Sequence, residues 1–139
     1  RRAILLLQNS WERKGIHLEI ELSEMEILAN SELLNQVWVN LIDNAIKFSN
    51  PQGRIVVRLV RNEGFAEFTV RDYGMGIAEK DVPHVFDKFY QGETARAVPG
   101  NGFGLTLAQR IVQLHGGEIA CTSKLGRWTE FTVRLPLAR

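Results

Sequence analysis

One stretch, Asn40–Phe48, constrains this chain more than any other. On a helical wheel, Asn40, Asn44 and Lys47 fall within a narrow sector, because offsets of four and seven residues return to nearly the same angle. Val37, Trp38, Leu41, Ala45 and Phe48 fill an adjoining arc, which Ile42, Ile46 and Val39 continue. Such a helix is buried around most of its circumference, with two amides and one ammonium aimed along a single line. The plain alternative is an amphipathic helix whose polar wedge faces water. Against it, Asn is disfavoured in helices by up to roughly 0.7 kcal/mol relative to Ala, and it occurs twice on that line.

The rest of the chain supplies layers to bury that helix. Residues 2–14 read as helix, with an apolar stripe of Ile4, Leu5, Leu7 and Trp11 that Gly15 ends. Ile16–Leu22 alternates apolar and charged residues, the pattern of a half-buried strand. Ile27-Leu28-Ala29 is expected to be a short strand, and Asn30 or Ser31 to cap the long helix. That helix should stop near Ser49, because Asn50-Pro51-Gln52-Gly53 is turn chemistry. Arg54–Val60 and Phe65–Arg71 read as strands joined in a hairpin at Asn62-Glu63-Gly64. Asp72–Gly76 breaks regularity after them. Residues 79–90 should contain short helical turns anchored by Phe86, Phe89 and Tyr90, and 91–102 reads as a mobile loop. A helix resumes over Gly104–Leu114, with Leu105, Leu107, Ala108, Ile111, Val112 and Leu114 mostly on one face, and Gly116-Gly117 closes it. Glu118–Ser123 and Thr129–Leu135 form a last strand pair around Leu125-Gly126-Arg127. This order predicts a two-layer α+β sandwich, helices covering one face of a mixed sheet.

At 139 residues the chain is one domain with room for a core, and its 45% apolar and 24% charged content is ordinary for a globular protein. A formal net charge of +1 leaves no electrostatic footprint for nucleic acid, and no basic run suggests direct membrane contact. Cys121 is alone, so no internal disulfide is possible, which fits a reducing, cytoplasmic setting. No membrane-length apolar run or signal peptide is visible. The chain starts at Arg1 and moves directly into helical pattern, so it is expected to be a piece of a longer protein. His17, His84 and His115 lack metal-ligand spacing and read as structural or surface residues. No nucleophile elbow or Walker A pattern occurs, and the protein-kinase motif set is missing.

Two glycine motifs carry the chemistry. Asp72-x-Gly74-x-Gly76 comes where a strand leaves the sheet. It reads either as a simple turn or as a place where a flat ligand approaches the backbone. In the second reading the Asp72 carboxylate accepts a hydrogen bond from an exocyclic amine, which adenine offers and guanine replaces with an oxygen. Gly100-x-Gly102-x-Gly104-Leu105 opens a helix and reads either as a hinge with a cap or as free N–H groups presented to phosphate.

Asn40-x-x-x-Asn44-Ala45-x-Lys47-Phe48, then Asp72-x-Gly74-x-Gly76, then Phe86-Asp87-Lys88-Phe89-Tyr90, then Gly102-x-Gly104-Leu105 form an ordered set. The set resembles the N, G1, F and G2 boxes of the catalytic and ATP-binding domain of two-component sensor histidine kinases. Leu114–Ile119 and Phe131–Pro136 look typical of the same family, so the resemblance spans essentially the whole chain. It implies a Bergerat-type ATP-binding fold, a mixed five-stranded sheet covered on one face by three main helices. It also implies ATP and Mg²⁺ as cofactors. Asn40, Asn44 and Lys47 then take the catalytic positions, with Asn44 ligating Mg²⁺ and Lys47 meeting a phosphate. Asp72 reads the adenine amine with Thr129 as a supporting hydroxyl, while Ile77, Phe86 and Leu105 pack around the base or hold the lid hinge. Gly74, Gly76, Gly100, Gly102 and Gly104 give the backbone its close approach to the nucleotide. A lid over about 87–101 would carry Lys88, Phe89, Tyr90 and Arg96.

Gln91 stands where many sensor kinases have an arginine, so positive charge for the γ-phosphate falls to Lys88 or Arg96. Asn40 stands where the hydrolysing relatives carry a water-activating glutamate, and an amide is no general base. The resemblance therefore implies phosphoryl transfer to a histidine on a dimerisation domain expected before Arg1, with a response regulator downstream. An anti-sigma-factor-type serine kinase and a nucleotide-binding interaction module are the alternatives.

Overall fold

Period-two alternation sets the sheet, and the pattern is read out almost to the residue. The computed structural model of the chain describes residues 4–5, 7–22, 31–87 and 103–137. Its strands are β1 (His17–Leu22), β2 (Arg54–Asn62), β3 (Phe65–Asp72), β4 (Glu118–Lys124) and β5 (Trp128–Pro136). They lie in the order β1-β2-β3-β5-β4, with β1 parallel to β2 and every other pair antiparallel. The expected mixed five-stranded sheet is therefore present. The β2–β3 hairpin turns on Glu63 and Gly64 between the paired Asn62 and Phe65; both turn residues have positive φ, 49° and 83°, matching the twist of the strands.

Each inner strand turns alternate side chains into one core. Ile55 and Val57 of β2, Ala66, Phe68 and Val70 of β3, and Phe131, Val133 and Leu135 of β5 are all buried. Three helices, α1 (Gln8–Arg13), α2 (Ser31–Phe48) and α3 (Phe103–Leu114), accompany the sheet, with one turn of 3-10 helix at Val82–His84. The α2 helix is the centre of the core. Val37, Leu41, Ile42, Ala45 and Ile46 are buried, and Trp38 packs on Phe68 with ring centroids 4.2 Å apart. Burying one such aliphatic side chain is worth roughly 1.5–3 kcal/mol. The α2 helix touches both α3 and β3, and α3 reaches β4.

The opposite face of the sheet is charged. Arg54 grips Glu19 through two bonds of 2.8 and 2.9 Å, Arg58 meets Glu21 at 2.6 Å, and Arg71 lies 4.3 Å over the Trp128 ring. No helix among the described residues is long and apolar enough to span a membrane.

Several expectations need correction. Among the described residues the first helix runs over Gln8–Arg13, with residues 4 and 5 also helical, and Leu5, placed on its apolar stripe, is 68% exposed. Gly15 does end it, at φ 70°. Leu107 and Leu114 were expected on the apolar face of α3 but point outward. The buried line runs through Ala108, Ile111 and Val112, and at 3.6 residues per turn both leucines sit roughly 100° or more from Ala108. The strands run one or two residues beyond their apolar pattern, so Asp72 closes β3 instead of following it. The expected strand at 27–29 and the Asn30 cap lie outside the described residues.

Candidate functional site

The C-terminal end of α2 is where the site is assembled, because its last carbonyls lack helical partners and other segments supply them. Lys14 Nζ donates to the carbonyls of Ile46 (2.8 Å) and Lys47 (3.0 Å). The next carbonyl, Phe48 O, accepts from Met75 N–H at 3.2 Å. Gly74 lies so close that a Cβ there would collide with the Phe48 carbonyl. Gly76, at φ 68°, would drive a Cβ into the carbonyl of Lys124, and Gly126 N–H donates to Met75 O at 2.7 Å. The Asp72–Gly76 loop is thus clamped between the end of α2 and the β4–β5 turn. Both glycines are required by backbone contact.

At the base of this loop a polar row crosses three strands. Asp72, Thr129 and Ser123 are register partners on β3, β5 and β4, and Asp72 and Thr129 are buried. Asp72 Oδ1 accepts from Gly74 N–H at 3.0 Å, while its other oxygen has no hydrogen-bond partner among the described residues. Burial raises the Asp72 pKa to about 6, against the opposing pull of the Gly74 N–H and of Lys14. Burial and the Asp72 charge push the neighbouring Cys121 thiol up to about 12, so it stays protonated. A sunken carboxylate with one spare oxygen suits a ligand that brings its own N–H donor.

The polar line of α2 is present but does not act as one unit. Asn40 is engaged at both ends of its amide: Nδ2 donates to Gly104 O of α3 at 3.1 Å, and Oδ1 accepts from Gln36 at 3.2 Å. Asn44 is half-buried, and no hydrogen bond engages its amide among the described residues. Lys47 is exposed and pairs with Asp43 at 3.0 Å. Among the described residues no group of three or more His, Cys, Asp or Glu side chains could hold a metal by itself. The Asn44 amide oxygen is a neutral, hard donor of the kind that can join a divalent cation's other oxygen ligands.

Other expected contacts take their places around this centre. Ile77 and Leu105 pack half-buried against the core. Phe86 meets Phe131 edge-on at 6.0 Å, and its carbonyl accepts from Thr106 Oγ1 of α3 at 2.8 Å. Gly104 has room: a Cβ there would meet nothing nearer than Asn40 at 3.8 Å, so that glycine is not required sterically. Lys88, Phe89, Tyr90, Arg96, Gly100 and Gly102, with the lid over 87–101 apart from Asp87, lie outside the described residues.

Lys14, Ser123 and Asp43 went unnoticed in the sequence. Only the Asp43–Lys47 pair left a trace there, as opposite charges one helical turn apart. Lys14 sits half-buried, its pKa lowered by burial, with Asp72 pulling the other way. Lys14→Met is expected to cost about 1–2 kcal/mol, through lost charge-assisted bonds at a helix C-terminus. It should also move the Asp72 titration to higher pH. Urea melts across pH 5–8 read both effects, and an unchanged stability would refute the cap.

A buried acceptor, a backbone cradle and an amide one turn away along α2 are groups that a purine base and its phosphates can engage. Comparison with known proteins agrees. The family described as histidine kinase-, DNA gyrase B-, and HSP90-like ATPase matches residues 29–139, and the chain belongs to it. The heme sensor protein HssS of Staphylococcus haemolyticus is 42% identical over 125 residues, 90% of this chain and 27% of that protein. Among solved structures, the mycobacterial sensor histidine kinase MprB superposes with a TM-score of 0.88 at 29% identity, covering 97% of this chain and 93% of that one. Full-length ShkA in complex with AMPPNP gives 0.86 at 29% identity, covering 99% of this chain and 29% of that one. The chain thus spans about a quarter of HssS and of ShkA.

Proposed function

We propose that this chain is the Mg²⁺·ATP-binding catalytic domain of a sensor histidine kinase. In the parent it transfers the γ-phosphoryl group of ATP to a histidine on a separate dimerisation domain, from which a response regulator is served. The observation that carries the reading is the buried Asp72 carboxylate, with one oxygen held by Gly74 and the other left for an adenine amine. The AMPPNP bound to ShkA, a structural neighbour, agrees with it.

Each residue's task follows from its chemistry. Asp72 and Thr129 receive the base, while Gly74 and Gly76 keep the loop backbone where a planar ring can lie against it. Asn44 offers a neutral amide oxygen to Mg²⁺, which when bound offsets the charge of the phosphates. Lys47, exposed and paired with Asp43 across one helical turn, can exchange that partner for a phosphate oxygen. Asn40 bears on the choice between transfer and hydrolysis. An amide has no basic lone pair for a water proton, and here both of its ends are already engaged. The domain itself activates no water, and an acceptor histidine brings its own nucleophilic nitrogen.

Adding an upstream phosphoacceptor domain and γ-labelled ATP is expected to place label on histidine. Brisk ATP hydrolysis by this chain alone, or no label on histidine, would sink the reading. For the metal, Asn44→Ala should weaken Mg²⁺·ATP binding about tenfold and leave metal-free ATP binding nearly unchanged. Calorimetry with and without chelator makes the comparison, and equal losses in both refute the ligand role.

A further inference from the structure

We infer that Ser123 determines which base edge the site accepts, by fixing the Thr129 hydroxyl as a hydrogen-bond acceptor toward the ligand. The inference rests on the nucleotide reading above and deepens it. It follows from counting protons. Ser123 Oγ takes part in three short contacts: Ile77 N–H at 2.8 Å, Trp128 O at 2.7 Å and Thr129 Oγ1 at 2.8 Å. A serine hydroxyl has one proton and two lone pairs. The Trp128 carbonyl can only accept, so Ser123 spends its proton there. Ile77 N–H can only donate and takes one lone pair. The remaining lone pair faces Thr129, which must therefore donate to Ser123.

Thr129 thus has no proton left for a ligand. Its hydroxyl presents lone pairs beside Asp72, its register partner on β3. The polar row at the base of the loop then offers two neighbouring acceptors, one charged and one neutral. A base edge carrying hydrogens is matched by it, and one carrying a carbonyl oxygen is opposed by both groups. Ser123 touches no ligand in this arrangement and is a positioning residue. The same hydroxyl holds Ile77, so one atom sets both the polar floor and a hydrophobic wall. Without Ser123 Oγ, the Thr129 proton is released toward the ligand, where it opposes an N–H and matches a carbonyl oxygen.

The test uses this 139-residue chain, since the solved MprB chain, 93% covered by it, is a unit of similar extent. Binding is measured for ATP, inosine triphosphate (carbonyl in place of the amine) and purine riboside triphosphate (hydrogen in its place). Each is titrated into the wild type, Ser123→Ala, Thr129→Val and the double variant. Ser123→Ala is expected to lower the preference for ATP over the two amine-free nucleotides about tenfold. The double variant should lose no more preference than Thr129→Val alone, because Ser123 acts through Thr129. Ser123→Thr, which keeps the hydroxyl, should restore the preference. If Ser123→Ala does not fold, Ser123→Cys, with its weak donor and acceptor, makes the same comparison. An equal loss for all three nucleotides, or full additivity in the double variant, overturns the inference and leaves the nucleotide site standing. Failure of the wild type to bind any of the three overturns both.

Discussion

Asp72→Asn is expected to lower ATP affinity about 100-fold and to erase the preference for ATP over GTP, while making the nucleotide-free protein more stable. The two effects have one cause. The Asp72 pKa stands at about 6 against an ordinary 3.8, mainly because the carboxylate is buried. At about 1.4 kcal/mol per unit, holding it ionised above pH 6 costs the fold about 3 kcal/mol, as an order of magnitude. The folded state binds this proton more firmly than the unfolded chain. The associated stability is therefore complete below about pH 4 and is lost as pH rises through about 6. Asparagine keeps the shape and does not titrate. Urea melts at pH 4.5 and 7.5 should show a smaller pH difference in the variant than in the wild type, with the variant the more stable at pH 7.5. Identical pH dependence in the two proteins would contradict the burial argument. ATP affinity of the wild type should also fall below pH 6, where the protonated carboxyl no longer offers a charge to the amine.

Gly74→Ala should be the most damaging single methyl in the molecule. The added Cβ meets the Phe48 carbonyl, a backbone atom at the end of a buried helix that cannot swing aside. Relief requires the loop to leave α2, which breaks the Met75–Phe48 bond and moves the Asp72–Gly74 contact with it. A cost of about 3 kcal/mol is expected, equivalent to a fall of roughly 10 °C in melting temperature for a chain of this size. ATP binding should be lost in parallel, even at temperatures where the variant is folded. A variant that melts like the wild type would show that the loop is not seated on the helix as described.

Much of this was legible in the sequence, for physical reasons that differ by element. Period-two alternation marked β2, β3 and β5 because one face of each is buried and the other charged. The α2 stretch was legible because its apolar arc and its amides have the same 3.6-residue clock. Leu107 and Leu114 misled because periodicity locates a face only within a sector, and what lies at the sector's edge depends on how α3 leans on α2. Lys14 and Ser123 were invisible for another reason. The carbonyls that Lys14 caps are 32 and 33 residues away and the Ile77 N–H that Ser123 accepts is 46 away, while Trp128 and Thr129 reach Ser123 only once the β4–β5 turn has formed; nothing local distinguishes a capping lysine or an orienting serine from an ordinary one. Asn40 lies on the polar line that its spacing marked, and its bond to Gly104, 64 residues away, is a contact that no local pattern shows.

The α2 helix has a mechanical consequence. Phe48, which seats the Asp72–Gly76 loop, and Asn44, the proposed metal ligand, stand four residues apart on one rod, about 6 Å along its axis. The spacing between those two marks is fixed by helical geometry, as on the beam of a calliper. The other jaw is the start of α3, which packs on the beam and is tied to it by the Asn40–Gly104 bond. The beam has the same length with or without a terminal phosphate, so in the proposed site any difference between ATP and ADP has to register elsewhere than along α2.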